Sequence, residues 1–181
     1  MPISLMPAPK DHEAYTLIRQ LVDDHYPDLA KHEVTIGVVM ATSDDPEKPA
    51  VKLHGYKCAA VVSITPYKQR IHGVADTLIT IDAANWSDLA ERRRESLIAH
   101  ELTHLVVALD KNGHAKADDA GRPKLKMRLH DVQTGWFMSI AERYGEDSYE
   151  VQQARQIQDK WGQLLFSWAE GVIPMERRRA M

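Results

Sequence analysis

The sequence predicts an α+β domain, in which a small mixed sheet packs on one histidine-bearing helix and further helices follow toward the C-terminus. Three observations carry this. β-Branched segments of strand length and apolar runs at helical spacing succeed one another along the chain. At 181 residues the chain can bury roughly 70% of its extended surface, enough for one sizeable core. Apolar residues make up 44% and charged residues 27%, which places it among globular rather than disordered chains. One domain is expected over residues 1–170, with 171–181 as a tail.

The first ten residues carry three prolines and read as a loose lead-in. From Asp11 to His25 the positions Tyr15, Ile18, Leu21 and Val22 recur at helical spacing, and Pro27 ends or kinks this helix. Val34–Ala41 is β-branched and reads as a strand, followed by the polar loop 43–49. Cys58–Thr65 is a second strand, closed by Pro66. Asp76–Asp82 is a third, with Thr77, Ile79 and Ile81 on one face and Leu78, Thr80 and Asp82 on the other. Ser87 or Asn85 can cap a first turn, and a long helix is expected from Glu91 to Ala108. Ile98, Leu102, Leu105 and Leu109 form its apolar stripe, opposite His100 and His104. One helix face therefore packs on the sheet and the other lines a cleft.

Lys111–Arg122 is polar and turn-rich, and Lys124–Leu129 alternates as a strand. A helix is expected from Asp131, with Val132, Trp136, Ile140 and Tyr144 in register, stopping at Gly145. Asp147 and Glu150 have capping-box spacing before a last helix bearing Val151, Ala154, Ile157, Trp161 and Trp168.

Composition excludes several classes. The one cysteine, Cys58, rules out an internal disulfide framework and a four-cysteine zinc ribbon, and fits a reducing, cytoplasmic compartment. No apolar run reaches the ~20 residues of a membrane span. The opening residues show no basic region leading into a long apolar stretch, so no secretory signal is expected. A net charge of −3 argues against a basic nucleic-acid binder. Arg92–Arg94 read as a solvated helix start, and Lys124, Lys126 and Arg128 as the wet side of a strand.

The segment His100-Glu101-Leu102-Thr103-His104 carries the chemistry. Residues four apart on a helix sit one above the other, ~6 Å along the axis and ~40° round. Two imidazoles so placed aim a ring nitrogen at one point, at a zinc–nitrogen distance of ~2.0–2.1 Å. Glu101 lies ~100° round from His100, too far to share the metal but able to reach a water there. A catalytic zinc wants a third protein ligand and one open position. His130, at a strand end just before a helix, is the first choice. Glu142 on the next helix and Asp110 remain as rivals, as does His114 in a turn. Asp110 has the metzincin offset, but Val107 stands where that pattern needs a glycine. Asp131 could orient a histidine from behind. Tyr144 is a candidate oxyanion donor, though a core tyrosine is the simpler reading, and Cys58 reads as buried and inert.

The stretches GVADTLITID (73–82), Trp86, RRRESLIAHELTHL (92–105), KLKMRLHDV (124–132) and AERYG (141–145) occur together in this order. In that succession the chain resembles the phage metallopeptidases, relatives of the SprT-like zincins. The resemblance covers about half of the residues. It implies a zincin-like fold, one catalytic zinc held by His100, His104 and His130, and Glu101 as the catalytic carboxylate. Gln133 and Thr134 depart from it, standing where relatives tend to be acidic. The expected activity is hydrolysis of peptide bonds in a peptide or protein substrate, paired along Thr77–Ile81. The alternative is a non-catalytic, zinc-stabilised interaction module of phage or mobile-element origin.

Overall fold

In the computed structural model the described residues are 3–45, 47–53, 55–130 and 137–156. The chain runs β1 (Ile3–Pro7), α1 (Glu13–His25), α2 (Pro27–Lys31), β2 (Ile36–Ser43), a hairpin of β3 (Lys52–Leu53) and β4 (Tyr56–Lys57), and β5 (Ala60–Ile64). It continues through α3 (Tyr67–Arg70), β6 (Thr77–Asp82), α4 (Ala83–Asp88), α5 (Glu91–Thr103), β7 (Leu105–Val107), β8 (Leu125–Met127) and α6 (Met138–Tyr144). Residues 149–156 are helical again and form α7. The expected helix start at Asp131, with Val132, Trp136 and the departures Gln133 and Thr134, lies outside the described residues. So do Ile157, Trp161, Trp168 and the expected tail.

The main sheet has the order β1-β2-β6-β5. β6 runs parallel to β2 and antiparallel to β5, and β1 is antiparallel to β2. The sheet is therefore mixed and small, as the sequence predicts. Thr77, Ile79 and Ile81 are buried, while Leu78 and Thr80 are half-buried on the other face. α1 buries Ala14, Ile18 and Leu21. α5 buries every residue from Ser96 to Thr103. Ala14, Ile18, Leu21, Leu97, Ile98, Ala99 and Leu102 join Val38, Ile79 and Ile81 in one apolar cluster. The Tyr26 hydroxyl at the end of α1 donates to the Ala99 carbonyl at 2.7 Å and locks the two helices together.

Several expectations are corrected. β6 lies between β2 and β5, so Thr77–Ile81 has no free edge for a substrate, and β5 is the outer strand on that side. The lead-in contains β1, whose residues are all exposed; it forms by edge pairing with β2 rather than by burial, which leaves no apolar alternation to read. The first helix does end before Pro27, as expected, and Pro27 opens α2 at its first position, where its missing N–H costs nothing. Asp82 caps α4 by accepting from the Asn85 amide at 3.1 Å, and Ala90 precedes α5 without a side-chain cap. α5 stops at Thr103, not Ala108. β7 begins at Leu105 because this segment pairs with β8, a non-local partner that helical periodicity cannot reveal. Asp147 is not a cap: the Ser148 hydroxyl accepts from the Val151 amide at 3.0 Å. Gly145 does end α6, at φ +52°. Of the basic run, Arg94 is engaged rather than solvated, reaching Glu13 at 2.6 Å and the Trp86 carbonyl at 3.0 Å.

A buried cluster ties the polar β7–β8 connection to the sheet. Asp76 accepts from the Thr35 amide and hydroxyl, both at 2.8 Å, from Arg70 Nε at 3.0 Å and from Arg122. Arg70 also meets Asp118 at 3.2 Å. Burial pushes the Asp76 carboxyl up, but the Arg122 and Thr35 hydrogen bonds outweigh it and hold the group at about 2, against an ordinary 3.8. Its stabilisation is therefore present above about pH 4 and lost as pH falls through about 2, and it amounts to on the order of 2 kcal/mol. Asp76→Asn should cost about 3 kcal/mol at pH 7, because two guanidinium groups lose their anion. Denaturant unfolding of both proteins from pH 7 to 2.5 checks this; a gap that does not narrow toward acid refutes it.

Candidate metal centre

α5 delivers His100 and Glu101 in its last turn, and His104 is the residue that closes it. His104 is fixed twice by one residue after β8. Its Nδ1 lies 2.8 Å from the Arg128 carbonyl, and the Arg128 amide donates to the His104 carbonyl at 2.7 Å. This exchange brings the chain leaving β8 against α5 and places His130, two residues on, over the same face. The three rings meet: centroids lie 5.2 Å apart for His100–His104, 5.3 Å for His100–His130 and 4.5 Å for His104–His130. One ring nitrogen from each lies within 4.8 Å of the others. Among the described residues this is the one group of histidine, cysteine or carboxylate side chains so arranged.

The partners of the rings decide which nitrogens are free. A carbonyl oxygen only accepts, so Nδ1 of His104 must carry the proton and Nε2 the lone pair. His100 is treated likewise: its Nδ1 lies 2.7 Å from Glu150 Oε1. Nε2 of His100 and Nε2 of His130 then face each other at 3.3 Å. Two nitrogens at ~2.05 Å from one tetrahedral ion stand about 3.3 Å apart. The spacing and donor set therefore suit a metal ion. Burial pushes the His104 ring down to about 4, with the Arg128 carbonyl acting against it and the neighbouring histidines adding to it, so its lone pair is available at neutral pH.

Two supports were not legible as such. Phe137 is fully buried beneath the cluster, 5.0 Å from the His100 ring, 4.8 Å from His104 and 5.0 Å from His130. Glu150, expected in a capping box, instead turns its carboxylate to His100 from α7, at 1% exposure. A carboxylate in this place sets the tautomer and raises the basicity of a ligand. The role suggested for Asp131 falls outside the described residues. Glu150→Ala should weaken metal affinity 10- to 100-fold, and Glu150→Gln, whose carbonyl still accepts, should weaken it less. Competition with a chromogenic chelator measures both, and equal losses would contradict this reading.

Glu101 is 4% exposed. Burial raises its carboxyl above the ordinary range, opposed by the neighbouring His100 and by the Val62 amide that donates to it. It stands one residue from His100 on the cleft side of α5. A cavity of about 800 Å³ opens there, lined by the three histidines, Glu101, β5 and Tyr149. The rivals lie outside the cluster. Glu142 is on the exposed side of α6. Asp110 accepts from the Asn112 and His114 amides in its own turn, with His114 Nδ1 3.7 Å away. The Tyr144 hydroxyl donates to Glu95 at 3.1 Å, and burial raises its pKa, so it is a core tyrosine. Cys58 precedes β5 and lines the cavity half-buried, its thiol pushed up by burial and so kept protonated.

No helix among the described residues is long and apolar enough to cross a membrane. No curated protein and no solved structure matches the chain. The family model of the putative phage metallopeptidases matches residues 8–165, and the chain belongs to that family.

Proposed function

We propose that the chain is a zincin-like peptidase of one domain, in which His100, His104 and His130 hold one zinc ion and Glu101 is the general base. The observation that carries this is the convergence of three imidazole nitrogens beside a buried carboxylate at the foot of an open cleft. Three neutral imidazoles with a fourth position left open are a catalytic zinc set. A zinc ion bound there would act as a Lewis acid on a peptide carbonyl and lower the pKa of water.

The chain's own groups supply the rest. Glu101 takes a proton from the attacking water and passes it to the leaving amine. Its raised proton affinity suits both halves of that task. β5 offers the substrate its main chain. The Asp82 amide bonds the Ala59 carbonyl and the Thr65 amide bonds the Asp76 carbonyl, so in this antiparallel pair residues 59, 61, 63 and 65 face β6. Ala60 turns its amide and carbonyl outward along the cavity wall, and Val62 its carbonyl, while the Val62 amide faces Glu101. An extended peptide can add to this edge, which takes over the role first expected of Thr77–Ile81.

The test is metal removal. Treatment with a chelator should abolish cleavage of a broad peptide library, and a single equivalent of zinc should restore it. The melting temperature should fall on stripping, since a tightly held ion at a thousandfold excess over Kd stabilises by about 4 kcal/mol. Equal cleavage before and after stripping would end the proposal.

A further inference from the structure

Four of the large apolar side chains left exposed on this protein stand around one opening. Leu53 and Tyr56, on the β3–β4 hairpin, are 43% and 77% exposed; Met127 and Leu129, at the end of β8, are 43% and 84% exposed. All four line the cavity that contains the three histidines. The hairpin, the β8 end and the outer strand β5 all contribute to that lining. Both apolar pairs are held in position. The β8 end is pinned by the Arg128–His104 exchange, and the hairpin is tied to its base by the Cys58 amide donating to the Val51 carbonyl at 3.1 Å.

Exposed apolar residues scattered singly need no explanation, but a facing set around a cleft marks a binding surface. Between these groups the lining is made of small residues at β5: Ala59, Ala60, Val61 and Val62. Among the described residues of the lining, Lys57 and Arg128 are cationic and Glu101 is the carboxylate. Such a cleft receives large apolar side chains on either side of an extended backbone and disfavours lysine or arginine there.

We infer that the occupant is an extended peptide with large apolar residues flanking the bond over the metal centre, and that Leu53, Tyr56, Met127 and Leu129 determine this specificity. This rests on the peptidase reading of the same site. It also narrows the substrate class: stretches of leucine, methionine or aromatic residues are buried in folded proteins, so the natural targets are unfolded chains or exposed apolar tails.

The experiment separates the two readings by measuring binding apart from cleavage. Zinc-loaded Glu101→Gln protein is titrated with fluorescein-labelled octapeptides that differ only at the central pair: Leu-Phe, Ala-Ala or Lys-Lys. The Leu-Phe peptide should bind at least about tenfold more tightly than the other two, in line with what an apolar pocket discriminates. Leu129→Ser and Tyr56→Ser, at exposed positions that do not hold the fold together, should each lower that ratio several-fold. Leu5→Ser, an exposed leucine on the far edge strand β1, should not move it. The same ratios are then read as kcat/KM on the wild-type background. Preference in binding without wild-type cleavage would sink the peptidase reading and leave the apolar specificity standing. Cleavage or binding without preference, or ratios unmoved by Leu129→Ser and Tyr56→Ser, would overturn the specificity assignment, as would no binding of any of the three peptides.

Discussion

Glu101→Gln protein is expected to keep its metal and to lose peptide cleavage by about 10²- to 10⁴-fold, the usual worth of a positioned proton-transfer group. The exchange is nearly isosteric, and the amide carbonyl can still accept from the Val62 amide that now meets the carboxylate. What disappears is the capacity to take a proton. Stability should not fall with it. Burial raises the Glu101 carboxyl in the metal-free protein; an acid whose folded pKa lies above its unfolded value weakens the fold while ionised, and that weakening is relieved as pH falls. Removing the ionisable group should therefore leave the melting temperature of stripped protein equal or higher. Zinc content, melting temperature and library turnover measured side by side read all three. A variant that still cleaves at the wild-type rate removes Glu101 from the chemistry. A wild type that binds zinc and cleaves nothing favours the alternative reading, a metal-stabilised interaction module.

His130→Ala should release the metal. Replacing a carboxylate behind a ligand already costs 10- to 100-fold in affinity, so loss of one of three ligating nitrogens should cost more, and elemental analysis after dialysis should find the variant nearly empty. The ring is half-buried and stands at the edge of the cluster rather than in the main core, so the fold should persist and circular dichroism should be little changed. Glu142→Ala and Asp110→Ala are the controls. Both carboxylates lie away from the histidines, the first on an exposed helix face and the second absorbed in its own turn. Full metal occupancy in the His130 variant, with loss in either control, would move the third ligand elsewhere.

The pair at positions 100 and 104 was legible because a single helical turn fixes their separation, whatever the rest of the chain does. The alternation of Thr77–Asp82 was equally local, and its buried face follows from a period of two. β5 was legible as a strand but not as the outer one, since strand order depends on partners dozens of residues away. Thr77–Ile81 looked suited to a substrate only while its flanking strands were unknown. The end of α5 misled for a similar reason: Leu105 and Leu109 continue the helical stripe, yet pairing with β8 outweighs that pattern.

By itself the sequence determined the α+β class, the helix with its two histidines and neighbouring carboxylate, and the family likeness, because each of these is written in short-range spacing or in an ordered set of motifs. Tertiary structure alone decided which third histidine meets them, that Glu150 and Phe137 stand behind and beneath the rings, that Asp76 anchors the polar connection between β7 and β8, and that β5 carries the open edge. Those arrangements depend on contacts such as His100–Glu150, 50 positions apart, and Asp76–Arg122, 46 apart, set by how helices and strands close on one another, and a periodicity measured along the chain holds no record of that closure.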